Sequence, residues 1–200
     1  MIRLIGSSYI DINNNTGVSM SLGITPSPEM EKEELKVIDT FIKTYVKKLQ
    51  EYESFNHSKA KEVTKLLKEN LEPFERKDTK KLLNYGEPLT AQQKRDLEIN
   101  TRLKVNTGFL SFINTEFIDK TDFSAFITEA EFYARARAWS EREINRAKKF
   151  KSTLRLTVDK ESCPNSISED GTYTTKNAPL LPLPTCGNKC MCMYFTEVSF

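Results

Sequence analysis

Residues 27–52 read S-P-E-M-E-K-E-E-L-K-V-I-D-T-F-I-K-T-Y-V-K-K-L-Q-E-Y, and this stretch decides the fold class. Ser27 can cap a helix, Pro28 fits its first turn, and Glu29 and Glu31 complement the positive end of the helix dipole. Leu35, Ile38, Phe41, Ile42, Tyr45, Val46, Leu49 and Tyr52 then recur at helical spacing, predicting one long amphipathic helix with an apolar stripe turned inward.

Downstream the same grammar continues. A second helix is predicted from about Asn56, with Val63, Leu66, Leu67 and Leu71 inward, stopping at Pro73. A weaker one is predicted over 74–84, ending at Gly86. Thr90-x-x-Gln93 is a capping box that opens a helix to about Asn106. Gly108 punctuates, and Phe109, Leu110, Phe112, Ile113, Phe117 and Ile118 form a short apolar segment. The longest helix is predicted from Asp122 to Phe150, carrying Phe123, Phe126, Ile127, Ala130, Tyr133, Ala134, Trp139 and Ile144.

On either side of this body the pattern changes. Residues 1–26 predict an extended arm: Ile2, Leu4, Tyr9, Ile10 and Ile12 suit strands, residues 13–17 a turn, and Val18, Met20 and Leu22 a second strand. After Phe150, Leu154, Leu156 and Val158 alternate as a strand, a Pro-rich loop follows, and Met191, Met193 and Phe195 alternate as a closing strand. The expected organisation is mainly α: an N-terminal extended arm (1–26), a helical body (27–150) and a small C-terminal β-type cysteine module with its tail (151–200).

Charge follows this division. The body holds 24 of the 30 basic and 22 of the 28 acidic residues, so both ends are sparsely charged and read as contacts to other polypeptide. The residues expected at such interfaces are Ile10, Ile12, Met20, Leu22, Leu180, Leu181, Met193 and Phe195. A net charge of +2 does not by itself imply a broad nucleic-acid surface. No stretch is apolar enough to span a bilayer, and the N-terminus has no signal-peptide pattern, which favours a reducing cytoplasm.

All four cysteines, Cys163, Cys186, Cys190 and Cys192, fall in the last 38 residues. The spacing is C-x22-C-x3-C-x-C. Cys190 and Cys192 stand two apart, so on a strand both thiols face one side. Four thiolates suit a closed tetrahedral zinc site, which would help a module too small to have much core. Reduced thiols packed together, or disulfides, are the alternatives.

The same region resembles the C-terminal part of the Mu F-like minor head (head morphogenesis) protein family of tailed bacteriophages. The elements that carry the resemblance are the helix with Ala134-Arg135-Ala136-Arg137-Ala138 and Glu141, and the strand ending at Val158-Asp159. Cys163, Asp170-Gly171, Pro182-x-Pro184 and Cys190-Met191-Cys192 follow in the family's order. Ser166 stands where the second cysteine of the family's first pair would be. The family's histidine is absent, Met191 replaces an arginine, and Cys186 stands one residue further from the final pair. The resemblance covers about residues 120–195. It implies a virion component at or near the portal vertex, assembled in the host cytoplasm, a minor head or head-to-tail connector protein. Its partners would be portal, connector or tail subunits, and it would form a cyclic homo-oligomer.

Enzymatic equipment is not visible. His57 is the sole histidine and sits at a helix start, where an exposed or capping role is expected. The seven glycines form no phosphate-binding loop. The basic cluster with Arg135, Arg142 and Arg146 near one helical face is the candidate DNA contact, although Glu131, Glu141 and Glu143 interleave it. A non-enzymatic virion protein is therefore the first expectation. A cytosolic zinc-knuckle protein that binds nucleic acid is the alternative.

Overall fold

The computed structural model describes residues 26–75 and 77–197, together with the backbone of three short strands before them. Those strands are β1 (Ile2–Ile5), β2 (Ser8–Asp11) and β3 (Thr16–Val18), an antiparallel meander in which Arg3 pairs with Ile10 and Ile10 with Gly17. Two strands were expected here. The described backbone forms three, with Ile5 paired to Ser8. Ile12, Met20 and Leu22 lie outside the described residues, as does the side chain of Ile10.

The first helix, α1 (Pro28–Leu49), begins as its sequence predicts: the Ser27 hydroxyl accepts the Met30 N–H at 3.3 Å. Its buried stripe is Val37, Ile38, Phe41, Ile42, Tyr45, Val46 and Leu49. Leu35, expected inward, is 48% exposed, because the stripe starts half a turn later. Helix α2 (Ala60–Asn70) follows a 3-10 turn whose cap is Asn56, and it buries Val63 and Leu67.

The helix expected over 74–84 shrinks to a 3-10 turn at Lys80–Asn84. Phe74 takes a left-handed φ of 65°, which breaks any helix through it. Lys77 is instead buried, bonded to the Glu72 and Glu75 carbonyls and paired with Glu34 of α1 at 2.9 Å. The capping box at Thr90 forms, but α3 covers only Ala91–Asp96. Glu98 has φ 56°, and the chain to Asn106 is irregular because Lys94 bonds the carbonyls of Thr101 and Leu103. Helix α4 (Thr107–Leu110) then delivers Phe109, Leu110, Phe112 and Ile113 to the core.

Helix α5 (Phe123–Phe150) is capped by Asp122, whose carboxylate accepts the Ser124 and Ala125 N–H groups at 3.0 Å each. It runs through two separate cores. Its first half, with Phe123, Phe126, Ile127, Ala130, Ala134 and Ala138, packs with α1, α2 and the 105–113 segment. Ala136, Ile144 and Ala147 join a second core with the C-terminal sheet. The alanines keep the helix surface low, which allows α1 to lie close along it. No helix among the described residues is long and apolar enough to cross a membrane.

Between α1 and α5 lies a buried polar seam. Thr79 donates its hydroxyl to Glu131 at 2.7 Å, and Arg135 pairs with the same carboxylate. The Tyr45 hydroxyl sits beside Thr79 and Glu131, fully buried, and completes no hydrogen bond. Burial drives its ionisation well above the ordinary phenol range. An orphaned buried hydroxyl costs free energy, whereas its ring fills core space. Tyr45→Phe is therefore expected to leave stability unchanged or raise it by up to about 1 kcal/mol. Tyr45→Ala should cost about 3–5 kcal/mol. Urea midpoints of the two variants check this, and a clear loss of stability in Tyr45→Phe would show that the hydroxyl is satisfied.

Candidate metal centre

The C-terminal sheet has the order β5–β4–β6, all antiparallel, from β4 (Thr153–Thr157), β5 (Gly171–Tyr173) and β6 (Met193–Glu197). Leu154 and Leu156 of β4 are fully buried against α5, as alternation predicts for a sheet with one covered face. Asp170 at the turn into β5 pairs with Arg155 and accepts the Val158 N–H at 3.0 Å. That pair of contacts fixes how the chain leaves β4 towards the cysteines.

Two loops and the entry to β6 bring the thiols together. The first loop is tightened by Asp159, whose carboxylate accepts the Ser162 N–H at 2.6 Å while its carbonyl accepts the Cys163 N–H at 2.8 Å. The carboxylate is held below its ordinary range, first by the Ser162 backbone bond and then by the Ser162 side chain. The second loop returns through Leu181 and Leu183, both in the core, and places Cys186 by a bond from its N–H to the Leu183 carbonyl at 2.9 Å. Gly187 lets this loop close on the first. A Cβ there would stand 3.0 Å from the Ser162 carbonyl oxygen. Cys190 and Cys192 precede β6 rather than lying within it. The alternation nonetheless holds, with Cys190, Cys192 and Tyr194 buried and Met191 and Met193 exposed.

The result is a convergence of all four sulfurs. Every pair of Sγ atoms among Cys163, Cys186, Cys190 and Cys192 lies within 4.8 Å, with Cys186 to Cys190 at 3.4 Å and Cys186 to Cys192 at 3.7 Å. Four sulfurs bound to one tetrahedral ion at zinc–sulfur distance stand about 3.8 Å apart. No pair is bonded as a disulfide; all four are free cysteines. The group could hold a metal ion. Three of the four thiols are buried, and Cys186 is half-exposed.

Electrostatics make the same point. Burial pushes the Cys190 thiol far up, with the neighbouring Cys186 and Cys192 adding to the effect, and burial takes Cys192 up to about 12. At Cys186 burial also raises, but hydrogen bonds from Ser166, Cys190 and Cys163 outweigh it and hold the thiol below its ordinary value. Four thiolates cannot share this space alone, and a dication is what would discharge them together.

The other expected site residues fare differently. Leu181 is a correction: it is 1% exposed, and its N–H bonds the buried Ser140 hydroxyl at 3.2 Å, so it belongs to this chain's own core. Leu180 and Met193 are exposed and Phe195 is half-buried. Arg135, Arg142 and Arg146 do not form a free basic face. Arg135 pairs with Glu131, Arg142 with Glu143 at 3.1 Å, and Arg146 with Glu33 and Glu143 at 3.3 Å each. They tie α5 to itself and to α1. His57 is exposed, beside the cap of the 3-10 turn. Sequence reasoning assigned no role to Thr185 or Gly187 at the cysteines, because neither belongs to a ligand spacing, and it marked Ser166 only as a departure from the resemblance. No family model, curated protein or solved structure matches the chain.

Proposed function

We propose that this chain is a non-enzymatic structural protein in which Cys163, Cys186, Cys190 and Cys192 bind one zinc ion. The ion staples the C-terminal module onto the end of α5. The single observation that carries this reading is the convergence of four sulfurs, from three separate chain segments, at the spacing a tetrahedral ion requires. Closed four-thiolate sites hold structure and leave no open position for a substrate, which is why the role is structural.

The setting we infer is a virion, at or near the portal vertex, in a minor head or connector ring. Its support is the resemblance over residues 120–195. The elements that carry it are α5, β4, Cys163, the Asp170-Gly171 turn, the Pro-rich loop and Cys190-x-Cys192, and they are packed here as one connected unit. Exposed Leu180, Met191, Met193 and Trp139 supply apolar surface for neighbours. The nucleic-acid alternative draws nothing from the arginines, whose charges are already matched by carboxylates.

Two measurements on purified full-length protein test the reading. Elemental analysis should find about one zinc per chain, and mass in solution should show a ring that deletion of residues 1–26 abolishes while helix content persists. Four freely titrating thiols with no metal would overturn the zinc assignment. A truncated chain that assembles as well as the full one would overturn the assembly role of the arm.

A further inference from the structure

The two ends of α5 carry opposite surfaces. At its start lies a cleft of about 440 Å³, bounded by the chain that follows α1 and the turn that leads into α5. Tyr52, Phe117 and Phe126 give it an aromatic wall, with the Tyr52 and Phe126 ring centroids 5.2 Å apart. Glu53, Asp122 and Glu129 line it as well. Asp122 also caps α5, and Glu129 accepts the Tyr52 hydroxyl at 3.1 Å. Among the described residues none of these three carboxylates forms an ion pair. Glu51 at the rim is matched by Lys48 at 2.8 Å, and Lys120 is the one lysine that lines the cleft, so the balance there is acidic.

At the other end Phe150, the last residue of α5, is 58% exposed. Its neighbours in sequence are the exposed Lys148, Lys149 and Lys151, and the Lys149 ammonium stands 5.7 Å from the Phe150 ring centroid. None of the three lysines pairs with a carboxylate among the described residues. An exposed phenylalanine alone is ordinary. This one sits among three unmatched ammonium groups, on a chain whose own cleft is aromatic within and acidic around. A chain cannot fill its own cleft with this knob, because the 28 residues of α5, about 42 Å of helix, separate the two surfaces. A second copy can.

We propose that the knob at residues 148–151 of one copy seats in the Tyr52–Phe126 cleft of the next. Phe150 adds a third ring to the Tyr52–Phe126 pair, and the lysines meet Glu53, Asp122 and Glu129. The two surfaces differ, so the contact is heterologous. Each copy offers a knob in one direction and a cleft in the other, and such contacts close into a ring when the rotation between neighbours permits. The inference rests on the ring reading above and names the surfaces through which the copies touch.

Sedimentation equilibrium of the full-length protein across a range of concentrations tests it. Phe150→Ala should weaken self-association about tenfold or more. Glu53→Lys and Lys149→Glu should each weaken it by a similar factor, and added salt should weaken association of the wild type. Mixing the Glu53→Lys and Lys149→Glu chains should restore association, because the intact knob of the first meets the intact cleft of the second. A misfolded variant would not be rescued in this way, so the mixture tells a lost contact from a lost fold. Assembly unaltered in all three variants, or a mixture that stays dissociated, overturns the contact and leaves the ring reading standing. A wild-type chain that is monomeric at every concentration overturns both. If that monomer binds a peptide of residues 148–151 and Glu53→Lys abolishes the binding, the cleft belongs to a basic segment of another protein.

Discussion

Cys192→Ser is expected to weaken metal binding steeply and loosen the C-terminal module, while most of the helical body stays folded. The reason is the separation of the two cores. The body is held by Phe41, Tyr45, Phe55, Phe109, Phe112 and Phe123 among others, none of which touches the sheet's core. The second core is small, and three of its buried members are the cysteines themselves. One of four ligands accounts for about a quarter of structural zinc binding, roughly 3 kcal/mol, so affinity should fall a hundredfold to a thousandfold. Circular dichroism should retain most of the helix signal, while proteolysis moves into the segment after about residue 144. Protease resistance equal to wild type, with zinc affinity unchanged, would refute the staple.

Metal-bound and metal-free protein should respond to pH in opposite directions. With metal bound, the thiolates are held far below the ordinary thiol range, so the stability they contribute is present at neutral pH and lost as pH falls. Without metal, Cys190 and Cys192 are raised in the folded state, and Cys186, which is lowered, opposes only part of their effect. Their contribution is then full below the ordinary value of 9.0 and lost as pH rises towards about 12. Thermal melts of the module at acid and alkaline pH, with and without chelator, separate the two signs.

The second large effect is expected at Gly108. Segments 83–87 and 106–109 are clasped by bonds from the Asn106 N–H to Leu83, from Thr107 to Glu87 and from Phe109 to Tyr85, at 2.9, 2.9 and 3.1 Å. A Cβ on Gly108 would stand 2.5 Å from Tyr85 Cδ1 and 2.6 Å from the Tyr85 carbonyl oxygen. Gly86 faces it with φ +84°, and a Cβ there would stand 2.4 Å from the Gly108 nitrogen. The Tyr85 carbonyl and the Gly108 nitrogen are backbone atoms that carry the clasp, and the Tyr85 ring is stacked on Phe112, so none moves aside readily. Gly108→Ala should destabilise by about 3 kcal/mol, the upper range for overpacking. For a chain of this size that corresponds to a melting temperature lower by roughly 6–12 °C. A variant within about 2 °C of wild type would show that the clasp yields.

How much of this was legible from the chain depended on how local each signal is. Ser27-Pro28, Asp122 and Thr90-x-x-Gln93 announce helix starts because caps act within four residues, and all three hold. Helix ends were misjudged at 74–84 and 97–106. There Phe74 and Glu98 adopt left-handed backbone in a packed setting, which residue preference does not encode. The four cysteines were readable as a group, yet their convergence depends on Asp159, Gly187 and two buried leucines. Sparse charge near Leu181 was read as an interface. Apolar composition says that a residue wants burial, not whose core receives it. The arginines of α5 needed Glu33 and Glu34, about a hundred residues earlier, to reveal that they were already paired.

Helix α5, shared by both cores, has a mechanical consequence. At 28 residues it is about 42 Å long, and each end is seated in a separate body of packed side chains. Such an element behaves as a strut. A load placed on the sheet end is transmitted along the helix axis to α1, and a sideways push on the sheet acts with the full lever arm. The ion pairs of Arg142 and Arg146 with α1 lie partway along it as braces, so bending should be resisted there first. In the ring proposed above, such a strut would relay strain from one neighbour to the next without unfolding.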